Sequence, residues 1–357
     1  MRHRFGIYLL GGIASLGALL LHGCAAKSMA NEEQPAPVAI TPIGINGITF
    51  EAPPQVCDSN TFVPMHRINT GWVALVPFGF CRAENPQVLF NSARQWWGEK
   101  DEGIIGCTQL LKQQGIKIML KPQIWIGRGT FTGDYDAGSE SAWQQWEKSY
   151  SDYILHNAQL ADSLGIELFC FGTELEFAVT HRPTYWQGLI QAIRKVYKGQ
   201  LTYAANWNEY EKLPFWSQLD YIGIDAYFPL SDAATPSVNE LVKGWDKSFK
   251  AIEKMQATVK KPVLFTEYGY RSTDYCAKEP WVHGHGGTVN TKAQANALEA
   301  LYRRFAPQSW FAGGFIWKWH ANDARINGEN NSDYTPQHKP AESVIQQWYQ
   351  QKSNGTQ

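Results

Sequence analysis

PVLFTEYGY, Pro262 to Tyr270, is a run of apolar and β-branched residues that suits a strand buried on both faces, and it ends around a carboxylate, Glu267. A buried carboxylate is costly unless it is paired or put to chemical use. IELFCFGTELEF, from Ile166, repeats the pattern with Glu174. Six further runs share this composition: INGITF, WVALVPFGF, IKIMLKPQIWI, LTYAANW, YIGIDAYF and GGFIWKW. Each reads as continuously apolar rather than alternating, as parallel strands covered on both faces do.

Amphipathic stretches separate the runs. Trp143, Trp146, Tyr150, Tyr153, Asn157, Ala161 and Leu164 recur at three-and-four spacing, broken in polarity only at Asn157. Trp186, Leu189, Ile190, Ile193 and Tyr197 follow the same rule after Pro183, a residue suited to a first helical turn. Ser237 with Glu240 and Thr291 with Gln294 read as capping boxes. Eight strands alternating with helices predict an α/β fold, a single (β/α)8 TIM barrel over residues 43–352, with a disordered tail at 353–357.

The connections are unequal. Helices enter the next strand through short links, LGI at Leu164, KGQ at Lys198 and KKP at Lys260. Strands leave through long ones: GRGTFTGDYDAGS after the third, RSTDYCAKEPWVHGHGGTVN after the seventh and HANDARINGENNSDYTPQHKP after the eighth. In a barrel these long loops gather at the C-terminal face, where active sites of the fold are built. Glu174 closes the fourth strand and Glu267 the seventh, so both are expected at that face.

A net charge of -1 without long runs of one sign offers no footprint for nucleic acid or anionic membrane. The 15 tryptophans lean instead toward sugar, whose axial C–H faces pack on indole. At the N-terminus, MRHR and the glycine-interrupted FGIYLLGGIASLGALLL have the form of an export signal. LHGC, Leu21 to Cys24, is similar to a bacterial lipobox, with His22 an unusual occupant. This predicts a signal peptide over 1–23, a lipid anchor on Cys24 and a flexible tether over 24–42, placing an exported lipoprotein at the outer membrane or cell surface. The alternative is an ordinary secretory signal cut after Ala26 or Ala30.

The remaining cysteines, Cys57, Cys81, Cys107, Cys170 and Cys276, include no CxxC pair, which excludes a zinc ribbon or thioredoxin-like motif. One disulfide is permitted outside the cytoplasm. Cys57 and Cys81 each follow a predicted strand and are one possible pair; five small buried hydrophobes is the other reading. HGH, His283 to His285, lacks the first-strand HxH of metal-dependent barrels, so no metal is expected.

Hydrolysis of a glycosidic bond calls for one carboxyl to protonate the leaving oxygen and a second to act at the anomeric carbon or on water. In GTELEF, LTYAANWNEY, LPFWSQLDYIGIDAYFPLS, KPVLFTEYGYRS with EPW downstream, and GGFIWKW, taken in that order, the chain resembles glycoside hydrolase family 113, within clan A of the glycoside hydrolases. The resemblance spans about Ile45 to Trp319. It implies an endo-β-1,4-mannanase-like retaining enzyme without a cofactor, with Glu174 as acid/base and Glu267 as nucleophile. It further implies that Tyr227 bonds the nucleophile, that Trp317 floors the subsite of the cleaved sugar, and that Asn206 shares in holding the 2-hydroxyl, since Thr173 stands where many clan members have Asn. Trp125, Trp207 and Trp281 are candidate sugar platforms and Glu99 a candidate hydroxyl contact. The negative charge of Glu267 is expected to raise the pKa of Glu174.

Glu176 competes for the acid role, or else pairs with Arg182 or His181. Two other functions stay open: the same machinery on another β-linked hexan such as a glucan, and a noncatalytic glycan-binding surface lipoprotein, which would need the aromatic cleft but neither glutamate. The expected partner is a poly- or oligosaccharide, and the expected state a monomer.

Overall fold

Continuous burial dictates how these strands pack. In the computed structural model, which describes residues 44–350 apart from 83, 128 and 283–286, the strands are β1 (Ile45–Phe50), β2 (Trp72–Leu75), β3 (Phe78–Arg82), β4 (Asn85–Leu89), β5 (Lys117–Leu120), β6 (Gln123–Ile126), β7 (Leu168–Thr173), β8 (Gln200–Asn206), β9 (Ile222–Asp225), β10 (Val263–Tyr268) and β11 (Phe311–Trp319). Among the described residues β1, β2, β5, β7, β8, β9, β10 and β11 close a barrel in that order. Every pairing around it is parallel, as the eight apolar runs require.

One set of strand side chains fills the barrel: Ile45, Trp72, Ala74, Met119, Leu168, Ala204, Leu264 and Phe315. The ring of Phe315 takes the space that a side chain at position 47 would need, since a Cβ on Gly47 would lie 2.4 Å from it. The opposite set, including Ile48, Val73, Phe169, Ile224 and Phe265, packs under the helices. Those helices are α1 (Asp101–Gln113), α2 (Glu140–Ser163), α3 (Glu176–His181), α4 (Pro183–Val196), α5 (Val238–Gly244), α6 (Asp246–Val259), α7 (Thr291–Phe305) and α8 (Pro340–Trp348).

Two predicted strands are each two strands. WVALVPFGF breaks at Val76–Pro77 and IKIMLKPQIWI at Lys121–Pro122, because proline lacks the N–H that would carry the ladder onward. The severed halves, β3 and β6, pair with each other in parallel, and β4 adds an antiparallel edge. This small sheet extends the barrel wall past its C-terminal rim.

Asn157 fits the helical stripe by donating Nδ2 to the Tyr153 carbonyl at 2.9 Å. Ser237 caps α5 as expected, its Oγ accepting from the Glu240 N–H at 3.2 Å. The Thr291 box is displaced by one residue: Asn290 caps α7, accepting from the Ala293 N–H at 2.9 Å, while buried Gln294 donates to the carbonyls of Tyr270 and Tyr334. Cys57, Cys81, Cys107, Cys170 and Cys276 are all free thiols. Cys81 points at the Asn85 carbonyl and the Tyr135 hydroxyl, and the thiol beside Cys57 is that of Cys107. The signal peptide, Cys24, the 24–42 tether, the 353–357 tail and His283–His285 lie outside the described residues.

Candidate active site

The two strands that carry the glutamates lose regular pairing at their ends. The register of β7 on β8 shifts between Cys170 and Thr173, and that of β10 on β9 between Phe265 and Glu267. Such irregularities turn side chains out of the pleat's alternation. Just beyond β7, Glu174 takes a left-handed backbone with φ of 51°, a conformation costing a residue with a side chain about 1–3 kcal/mol. Its N–H donates to the Ala204 carbonyl at 2.8 Å, and the next N–H, of Leu175, donates to the Tyr203 hydroxyl at 2.7 Å. These bonds hold the strained turn.

Glu174 and Glu267 open onto one cavity of about 520 Å³, shared with Gln123, Trp125, Trp317, Lys318 and Asp333. Glu267 receives three donors: Lys121 Nζ and Gln123 Nε2 (2.9 Å) on Oε1, and the Tyr227 hydroxyl (2.9 Å) on Oε2. That is the donor set of an ionised carboxyl, which can only accept. Lys121 is fully buried and also lies 3.6 Å from Asp225 Oδ1. Burial pushes the Lys121 pKa down, but the charges of Asp225 and Glu267 outweigh it and the net shift is upward. Asp225, bonded by the Thr266 hydroxyl at 2.7 Å, is pushed up to about 7 by burial, against the pull of Lys121.

Glu174 has the opposite surroundings. Its pKa is raised well above the ordinary carboxyl range, first by desolvation and then by the negative charges of Asp225, Glu267 and Glu209. Burial thus ranks ahead of the Glu267 charge that sequence reasoning put forward. Glu209 is fully buried with neither carboxyl oxygen hydrogen-bonded, and burial pushes its own pKa to about 8.

Trp317 and Trp125 both line the cavity, Trp125 with 58% of its surface exposed. Asn206 closes β8 outside that lining and accepts the Trp207 N–H on Oδ1 at 2.7 Å. Trp207 and Trp281 also lie outside it, stacked on each other with ring centroids 5.0 Å apart. Glu99 lines an adjoining hollow of about 300 Å³ and accepts the Trp96 N–H on one oxygen, closing a helical turn. Glu176 pairs with Lys212 at 2.5 Å, whereas Arg182 binds Glu140 and Glu147, so neither expected partner of Glu176 is its own.

Sequence reading passed over several residues of the cleft. Gln123 lines it, Lys121 and Asp225 lie fully buried behind Glu267, and Phe80 and Trp96 are exposed aromatics of the adjoining hollow. Lys121 and Asp225 carried the same signal as the glutamates: a charge set in an apolar strand. On the rim, His320 bridges Glu51 and Asp333 while Lys318 donates to Glu51 at 2.6 Å.

Residues 57–339 match the Glycoside Hydrolase Family 113 as a family. The chain belongs to glycoside hydrolase family 113. A GH113 β-mannanase from Alicyclobacillus acidocaldarius, solved in complex with ManMIm, is 25% identical, covering 86% of this chain and 97% of its own at a TM-score of 0.76. A second GH113 β-1,4-mannanase is 26% identical over 87% of this chain and 100% of its own, with a TM-score of 0.75. A Faecalibacterium prausnitzii β-glucuronidase shares only the fold, at 15% identity, 86% and 49% coverage and a TM-score of 0.56. No curated protein matches the chain in sequence. The barrel and its paired strand-end glutamates thus stand in a GH113 glycoside hydrolase.

Proposed function

We propose that this GH113 member is a retaining β-mannan hydrolase in which Glu267 is the nucleophile and Glu174 the acid/base. The observation that carries this reading is the contrast between the two carboxyls: three donors converge on Glu267, while burial and negative neighbours favour the protonated form of Glu174. Glu267 attacks the anomeric carbon as Glu174 gives its proton to the departing oxygen. Glu174, now anionic, takes a proton from water, and the water oxygen displaces Glu267 to release the sugar. The mannan specificity rests on the named activity of the two GH113 neighbours.

The same reading gives the sugar chain a polarity in the cleft. The aglycone departs on the side of Glu174, after the fourth strand. The hollow built from β1, β11 and the β3–β6 sheet lies across the barrel mouth and takes glycone units on Phe80, Trp96 and Trp125.

The test uses an activated aryl β-mannoside. Glu174→Ala still forms the glycosyl-enzyme, because a good leaving group scarcely needs a proton, and azide speeds its turnover to a β-glycosyl azide. Glu267→Ala is inactive on aryl glycoside and polymer alike, and azide enters from the other face to give the α-azide. Burst kinetics in Glu267→Ala, or loss of activity in Glu176→Ala with a fully active Glu174→Ala, would assign the carboxylates otherwise. A polysaccharide panel scored by reducing-end release tests mannan against glucan. Lipid anchoring at Cys24 belongs to the same proposal: labelled palmitate enters the wild type and not Cys24→Ala, and unchanged labelling would refute it.

A further inference from the structure

We propose that the cleft runs on past Trp96 into a third hollow, a distal subsite for the non-reducing end of a β-1,4-linked mannosyl chain. The inference rests on the assignment of the hollow at Phe80, Trp96 and Trp125 to glycone units. The third hollow, of about 700 Å³, lies between the loop after β1 and the loop after β11. It is larger than the middle one, of about 300 Å³, and of a size that binds small molecules.

Shared walls set the three spaces in a line. The cavity of the glutamates and the middle hollow have Phe78, Trp125, Trp317 and Lys318 in common. The middle and outer hollows have Glu51, Ala52 and Trp96 in common, whereas the first cavity and the outer hollow share no lining residue. A sugar chain leaving Glu267 on the glycone side therefore meets Trp125 first and Trp96 next. Both indoles are more than half exposed, and such faces pack on the C–H groups of a sugar.

A polar chain spans the same three spaces. Lys318, of the first cavity and the middle hollow, donates to Glu51 at 2.6 Å. Glu51, of the middle and outer hollows, pairs with His320 of the outer one, and His320 meets Asp333 of the first cavity at 3.0 Å. Hydroxyls of successive sugars thus have charged partners along the whole path. In the outer hollow Asn60, Asn322 and Arg325 add exposed side chains that bond to no other described residue. Its wall is also fixed in advance. Pro53 and Pro54 line it, and their carbonyls accept the N–H groups of Gly98 at 2.9 Å and Trp97 at 3.4 Å, holding the segment of Trp96 against the loop after β1. A preformed site leaves little ordering to oppose binding.

The experiment measures kcat/KM of the full chain on β-1,4-mannooligosaccharides of increasing length, and locates the cut in mannohexaose carrying heavy oxygen at its reducing end. In the wild type kcat/KM should keep rising with length, and the longer fragment of the hexaose should lack the label, because the glycone side holds more units. Trp96→Ala should lower the ratio of kcat/KM on the hexaose to that on the triose roughly tenfold, the size of one lost aromatic contact. It should also move the cut toward the non-reducing end. Ala324→Trp, which fills the exposed outer hollow and removes no contact, should lower the same ratio. A ratio unmoved by both variants, or a label found mostly in the longer wild-type fragment, overturns the subsite while leaving the mannan reading intact. Hexaose neither cut by the wild type nor bound by Glu267→Ala would overturn both.

Discussion

The fourth and seventh barrel strands end in the same residue type, and the two ends differ in everything around it. At the seventh, Glu267 is clamped by a lysine, an amide and a phenol. At the fourth, Glu174 stands on a strained turn with its charged form disfavoured by burial and by Asp225, Glu267 and Glu209. The division of labour between two chemically identical groups is written in their neighbours, and Asp225 and Lys121 connect the two environments. Altering those two residues should therefore erode the difference without touching either glutamate.

The largest effect is expected from Lys121→Met, which leaves Asp225 and Glu267 facing each other in a buried site with no cation between them. Removing one partner of a buried ion pair destabilises by about 3–5 kcal/mol. A hydrogen bond to a charged group contributes about 1.5–3 kcal/mol, so loss of the donor on Oε1 should lower kcat/KM by roughly 10- to 100-fold. Urea unfolding and steady-state kinetics measure the two quantities separately. Because the lost cation leaves two carboxyls in conflict, adding Asp225→Asn should restore part of both losses. A double variant no better than Lys121→Met would show that Lys121 acts only by filling space.

Asp225→Asn alone should act on the other glutamate. After desolvation, the Asp225 charge does most to raise the Glu174 pKa. Removing it makes Glu174 easier to ionise, so the acid is lost sooner as pH rises and the alkaline limb of kcat/KM moves to lower pH. The asparagine keeps an oxygen for the Thr266 hydroxyl, whose bond is 2.7 Å long. An unmoved limb, with kcat/KM scaled down evenly at all pH values, would mean that Asp225 supports the architecture and not the proton balance.

The barrel was legible because burial on both faces leaves a continuous apolar signature, and eight such runs admit few arrangements. The small β3–β4–β6 sheet was hidden by the same signature, since WVALVPFGF and IKIMLKPQIWI look unbroken unless Pro77 and Pro122 are weighed as ladder breaks. Glu174 and Glu267 were visible as charges ending apolar runs. Lys121 and Asp225 are charges set in apolar runs too, but each falls inside a run read as one unbroken strand, IKIMLKPQIWI and YIGIDAYF; only their meeting across the barrel reveals them. Indole identity carries no direction. Trp125 and Trp317 face the cavity while Trp207 and Trp281 stack on each other, and nothing in their local sequence distinguishes the two outcomes.

The smallest effect concerns a charge cluster on the rim that contacts neither glutamate, and it tests whether proton balance in the cleft is local to the Lys121–Asp225 axis. His320 lies between Glu51 and Asp333, whose attraction overcomes burial and raises its pKa to about 9, above the ordinary 6.5. A raised folded-state pKa contributes stability that is complete below about pH 6.5 and lost as pH climbs through about 9. The shift is worth up to about 3 kcal/mol. Lys339 opposes it, because burial depresses its pKa to about 7 and it gains relative stability over the same rise in pH. The diagnostic quantity is thus the difference between wild type and His320→Gln. That difference in Tm should be greatest near pH 6, shrink by several degrees toward pH 10, and leave the alkaline limb of kcat/KM where it was. A limb that shifts with His320→Gln would mean that the rim charges reach Glu174, and that the contrast between the two strand ends is set by the whole barrel mouth and not by the buried axis alone.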